Sequence, residues 1–144
     1  MYFEVGSTAA HVAAQKGHTE VCKYLGSLGV DWNEADRDGK TPFYIAAYNG
    51  HLEVCKYLES VGVDGKKAHL TSDPLIRAAE RGNIEMCKYL VSLGADVKAA
   101  KISRIYRREI PMHTAARGGH LEVCKYLGSV GADVNQANEV RISE

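Results

Sequence analysis

Four cysteines and six histidines are the residues of this chain best suited to chemistry. Thiolates and imidazoles bind zinc, and a cysteine beside a base can act as a nucleophile. All four cysteines fall in near-copies of one segment: GHTEVCKYLGSLG from Gly17, GHLEVCKYLESVG from Gly50, GNIEMCKYLVSLG from Gly82 and GHLEVCKYLGSVG from Gly119. The spacing argues against both chemistries. Cys22, Cys55, Cys87 and Cys124 stand 33, 32 and 37 residues apart, whereas zinc sites use close pairs such as C-x2-C. Equivalent helices in a stack lie roughly 8–10 Å apart, too far for a disulfide, whose Cα atoms must come within about 4.4–6.8 Å. No Ser/His/Asp or Cys/His arrangement recurs as a nucleophile with its base, and no G-x-x-x-x-G-K-[ST] phosphate loop occurs. The cysteines are expected as small buried apolar residues. No catalytic residue, metal or cofactor is expected.

The period of these copies organises the rest of the chain. Ala9, Pro42, Pro74 and Pro111 each lie 13 residues before their cysteine, so length changes fall between blocks, where loops tolerate them. Each block predicts two short helices. The first runs through AAHVAAQK, PFYIAAYN, PLIRAAER and PMHTAARG, with proline at the first helical position and Thr8, Thr41 and Asp73 as candidate N-caps. Ile110 cannot cap with its side chain. The Ala-Ala pairs at 13–14, 46–47, 78–79 and 115–116 allow close helix approach, and the glycine that follows suits a left-handed turn. In the second helix, Val21, Cys22, Leu25 and Leu28 share one face at about 100° per residue. Lys23 points away and Tyr24 takes the flank. The ladder of Tyr24, Tyr57, Tyr89 and Tyr126 suggests packing first and a ligand second. Lys23, Lys56, Lys88 and Lys125 suggest a solvated stripe balanced by Glu20, Glu53, Glu85 and Glu122.

The pattern resembles the ankyrin repeat, most closely in DRDGKTPFYIAAYNGHLEVCKYLESVGVD, residues 36–64. The resemblance implies an all-α solenoid of four stacked helix-turn-helix units with short β-hairpin fingers. One domain is expected over 1–144, with repeats near 1–35, 36–67, 68–100 and 101–137 and a tail at 138–144. His11 and His113 match the family's T-P-L-H position, which implies a hydrogen bond to backbone; His18, His51 and His120 fall in another common family position. Departures are Tyr44 and Ile76 for that histidine, Arg77 and Thr114 for an apolar residue, and Gly26, Glu59 and Gly128 for a leucine, all expected to weaken packing. Trp32 replaces a valine, either packed locally or left as an apolar surface spot.

The resemblance further implies a non-catalytic protein-interaction module, its protein partner bound along finger tips and first helices. Carried over by position, the partner-binding residues are Gln15, Lys16, Arg37, Asp38, Lys40, Tyr48, Asn49, His69, Leu70, Glu80, Arg81, Tyr106, Arg107 and Arg117, with Glu109 beside them. The irregular stretch KAAKISRIYRREIPMH adds Arg104 and Arg108. This longer finger is either a solvated hairpin tip or a grip for an acidic partner. Residues 101–117 carry five basic residues against Glu109 alone, yet 18 basic and 18 acidic residues balance over the chain. A generic nucleic-acid binder is therefore not expected, although an acidic polymer or nucleic acid held by the 101–117 finger stays open. A targeting segment of a larger enzyme is a further alternative. No run approaches the roughly 18 apolar residues of a membrane span, and the first residues lack the pattern of a signal peptide. Free cysteines point to an intracellular location, cytoplasmic or nuclear. Apolar edges at the two ends, with Val21 and Val123 exposed, suggest end-to-end self-association or a fragment of a longer array.

Overall fold

A computed structural model of the chain describes residues 7–68, 73–102 and 108–137. Each block folds as an antiparallel helix pair: α1 (Ala9–Lys16) with α2 (Thr19–Ser27), α3 (Pro42–Tyr48) with α4 (Leu52–Ser60), α6 (Asp73–Arg81) with α7 (Ile84–Ser92), and α8 (Pro111–Arg117) with α9 (Leu121–Ser129). A single turn, α5 (Gly65–Ala68), follows the second pair. The chain divides into two compact units, Met1–Leu70 and Thr71–Glu144. In the first, α1 packs on α3 and α2 on α4; in the second, α6 packs on α8 and α7 on α9.

Local chemistry explains the helix boundaries. Thr8 Oγ1 accepts from His11 N and Thr41 Oγ1 from Tyr44 N, closing the first turns of α1 and α3. Ile110 makes no side-chain cap. Asp73 belongs to the first turn of α6, where a carboxylate favours the helix N-terminus. Gly17, Gly50, Gly82 and Gly119 reverse the chain between paired helices with φ of 74°, 80°, 73° and 73°, a left-handed conformation that other residues adopt at a cost. The aspartate of each exit segment builds an Asx turn: Asp31, Asp64, Asp96 and Asp133 accept from the backbone N–H of Asn33, Lys66, Lys98 and Asn135.

The connections between blocks differ from one another. Residues 36–40 form a tight turn, closed by hydrogen bonds from Asp36 N to Lys40 O and from Gly39 N to Asp36 O, both 2.9 Å. Residues 65–68 form the helical turn α5. The longest connection contains an antiparallel pair, β1 (Lys101–Ile102) and β2 (Arg108–Glu109), with Lys101 opposite Glu109 and Ile102 opposite Arg108.

The core is the first three alanine pairs, Ala115 of the fourth and the second-helix face; Ala116 is exposed. Ala14, Ala46, Ala79 and Ala115 are fully buried, as are Cys22, Cys55 and Cys87, and with them Phe43, Leu58, Leu75, Leu90 and Leu127. Two expectations about that face need correction. Leu28 is exposed, not inward, and so are its counterparts Val61 and Val130, all at helix C-caps. Leu93, the matching residue of α7, is buried. Val21 is 47% exposed as expected, but Val123 is 1% exposed. In α9 that position is covered within the second unit, where α7 packs against it. The second copy's counterpart, Val54, is buried in the same way.

Several departures from the repeat pattern turn out to be well packed. Thr114 is 2% exposed, and its hydroxyl lies 3.2 Å from Ile76 O and 3.0 Å from Pro111 O. Trp32 is buried and meets Tyr57 edge-on, ring centroids 6.1 Å apart. The Tyr57 hydroxyl occupies the space a side chain on Gly26 would need. Gly26 is therefore a point of close approach, where a leucine would not fit.

Candidate functional site: a tyrosine-walled cleft in the first unit

Three segments converge on a cleft of about 150 Å³ in the first unit: the end of α1, the 36–40 turn and the Tyr44, Ile45 and Tyr48 side of α3. Its lining is Gln15, Asp36, Asp38, Lys40, Tyr44, Ile45, Tyr48 and Asn49.

A relay of hydrogen bonds fixes the turn against α1. Thr8 N lies 3.1 Å and Thr8 Oγ1 2.8 Å from His11 Nδ1. The backbone N–H makes that nitrogen an acceptor, so His11 Nε2 carries the proton and donates to Lys40 O at 3.2 Å. His11 is 1% exposed, so this bond is shielded from water. Within the turn, Asp36 Oδ1 accepts from Asp38 N and Lys40 N, each at 2.9 Å. Thus one face of the cleft is held by an imidazole and a carboxylate anchored to backbone.

The other face is aromatic. Tyr44 and Tyr48 lie one helical turn apart on α3 and stack, with centroids 6.2 Å apart and planes 18° from parallel. Lys40 Nζ lies 5.8 Å from the Tyr44 ring centroid, close enough for a cation–π attraction. Asn49 Nδ2 donates to Ile45 O at 2.8 Å, which holds its amide against the end of α3. Asp38 is exposed and forms no ion pair among the described residues.

The candidate residues read from the sequence separate into groups. Gln15, Asp38, Lys40, Tyr48 and Asn49 line this cleft; Lys16 and Arg37 are exposed outside its lining. Asp36, Tyr44 and Ile45 complete it and were not among the candidates. Tyr44 carried a signal, because it interrupts the T-P-L-H pattern. In the second unit, Glu80 and Arg81 end α6, and Glu80 O accepts from His120 Nε2 at 2.9 Å. Arg117 is tied to Glu109 at 2.9 Å, and Lys101 to Asp73 at 3.4 Å. Arg108 is exposed on β2. His69, Leu70, Arg104, Tyr106 and Arg107 lie outside the described residues.

Two more histidines act as ties. His51 Nε2 bonds Gln15 O at 2.8 Å, and His113 Nε2 bonds Gln136 O at 2.5 Å. Burial disfavours the thiolate at three of the cysteines. Burial pushes Cys55 and Cys87 up to about 12, and raises Cys22 as well. All four cysteines are free; Cys124 is only partly buried. Among the described residues no group of three His, Cys, Asp or Glu is placed to hold a metal ion, and no helix is long and apolar enough to cross a membrane.

Paired helices repeated at a near-constant period, joined by left-handed glycine turns and presenting turns beside their first helices, define a helical-repeat protein of the recognition class. A family model described as ankyrin repeats (many copies) matches residues 8–59, and one described as ankyrin repeats (3 copies) matches residues 62–138. The chain belongs to the ankyrin repeat family, whose members are in general non-catalytic protein–protein interaction modules. No curated protein sequence matches it.

Proposed function

We propose that this chain binds a protein partner through the cleft between the 36–40 turn and α3, with Tyr48, Asp38, Lys40, Gln15 and Asn49 as contact residues. The observation carrying this reading is the stacked Tyr44–Tyr48 pair in a concave site with converging polar groups. Tyrosine brings large contact area at low entropic loss and is enriched at binding hot spots. Of the basic residues counted for the 101–117 alternative, Lys101 and Arg117 are already paired with Asp73 and Glu109.

Affinity capture from the source lysate, followed by mass spectrometry, tests the reading with the wild-type chain and three variants as baits. A partner retained by the wild-type chain and by Arg107→Ala, but lost on Tyr48→Ala and on Asp38→Lys, is the expected result. Retention on Tyr48→Ala with loss on Arg107→Ala would move the contact to the finger. Asp38 is exposed in a turn, so its substitution separates lost binding from lost folding.

A further inference from the structure

Resting on that reading, we infer that the cleft accepts an arginine side chain of the partner, its guanidinium laid against Tyr48, the less buried ring of the Tyr44–Tyr48 stack, and paired with Asp38. The ring faces carry negative quadrupole potential, and Tyr44 already draws a cation, the Lys40 ammonium 5.8 Å from its centroid. Asp36 and Asp38 outnumber Lys40 among the charged lining groups, so the cleft bears a net negative charge.

The two carboxylates have different tasks. Asp36 is committed through Oδ1 to the N–H groups of Asp38 and Lys40, which holds the loop in shape. Asp38 faces solvent without an ion-pair partner among the described residues. A guanidinium suits this combination better than an ammonium: it is planar, stacks on aromatic rings and pairs with a carboxylate through two parallel hydrogen bonds. Gln15 and Asn49 supply amide oxygens at the rim that can accept from its remaining N–H groups. An acidic side chain would find Lys40 alone and be opposed by Asp36 and Asp38.

The test uses the whole chain and three blocked tripeptides, Ac-Ser-Arg-Ser-NH2, Ac-Ser-Lys-Ser-NH2 and Ac-Ser-Glu-Ser-NH2, titrated to high-millimolar concentration while backbone amide resonances are followed by NMR. The arginine peptide is expected to shift the amides of residues 36–40 and 44–49 saturably, more tightly than the lysine peptide; the glutamate peptide should leave them in place. Asp38→Asn should abolish most of the arginine response. Lys40→Ala removes the resident cation and should tighten it roughly two- to fivefold. No response to arginine, an equal response to glutamate, or weaker arginine binding by Lys40→Ala would each overturn the inference. A captured partner that depends on Tyr48 while the arginine peptide gives no shift would leave the protein-binding reading standing and remove the arginine.

Discussion

Tyr57 places its hydroxyl where a side chain on Gly26 would have to begin, and its ring carbon Cζ lies 3.3 Å from that ideal Cβ position. The ring is held edge-on by Trp32, so it cannot swing aside freely. Alanine at a helix interior normally gains about 1 kcal/mol over glycine. Here Gly26→Ala is expected to destabilise by about 1–3 kcal/mol through overpacking. Tyr57→Phe removes the obstructing oxygen, so Gly26→Ala should be far less harmful in that background. A double-mutant cycle by urea denaturation measures the coupling.

Gly128 is the control. It occupies the same position in α9, yet its nearest obstacle is Met112 Cε at 4.0 Å, an ordinary contact. Gly128→Ala is expected to stabilise by about 0.5–1 kcal/mol, seen as a raised urea midpoint with unchanged slope. The two equivalent glycines should thus respond with opposite sign.

The Gly-His motif offers a second comparison. His51 and His120 donate to Gln15 O and Glu80 O and fill the space beside Gly17 and Gly82. His18 is exposed and makes no side-chain hydrogen bond as the N-cap of α2. His51→Ala and His120→Ala should each destabilise by about 1–2 kcal/mol, whereas His18→Ala should stay within about 0.5 kcal/mol. Thermal denaturation of the three variants checks the order.

The thiols predict a pH dependence. Burial raises Cys55 and Cys87 from the ordinary 9.0 to about 12. The folded state therefore holds these protons more tightly than the unfolded chain. That contribution is fully present below pH 9 and is lost as pH rises from 9 towards 12. Stability should fall over this window, and the fall should shrink in Cys55→Ala and Cys87→Ala. At neutral pH, a thiol reagent should modify Cys124, which is only partly buried, before the other three.

Removing the N-cap hydroxyl should separate capping from packing. Thr41 Oγ1 accepts from Tyr44 N at 3.3 Å, so Thr41→Ala is expected to destabilise by about 1 kcal/mol. Thr41→Ser should recover most of that loss. Circular dichroism during urea unfolding reads both variants.

The sequence by itself determined the period, the helix pairs, their threonine caps and their glycine turns. These are local: proline at a first position, a left-handed glycine and a 3.6-residue apolar spacing depend on the nearest few residues. It also put five of the cleft's lining residues among its candidates by position. Only the tertiary structure decided which equivalent residues differ. Val21 is exposed while Val123 is buried, and Gly26 faces a tyrosine hydroxyl while Gly128 meets only ordinary contact. Near-identical segments cannot reveal this, because exposure and clearance belong to what packs against a residue. The Tyr44–Tyr48 wall was hidden for the same reason. Tyr44 stood in the sequence as a missing histidine, and its partners at Lys40 and Tyr48 became a site once the 36–40 turn was tied down by His11.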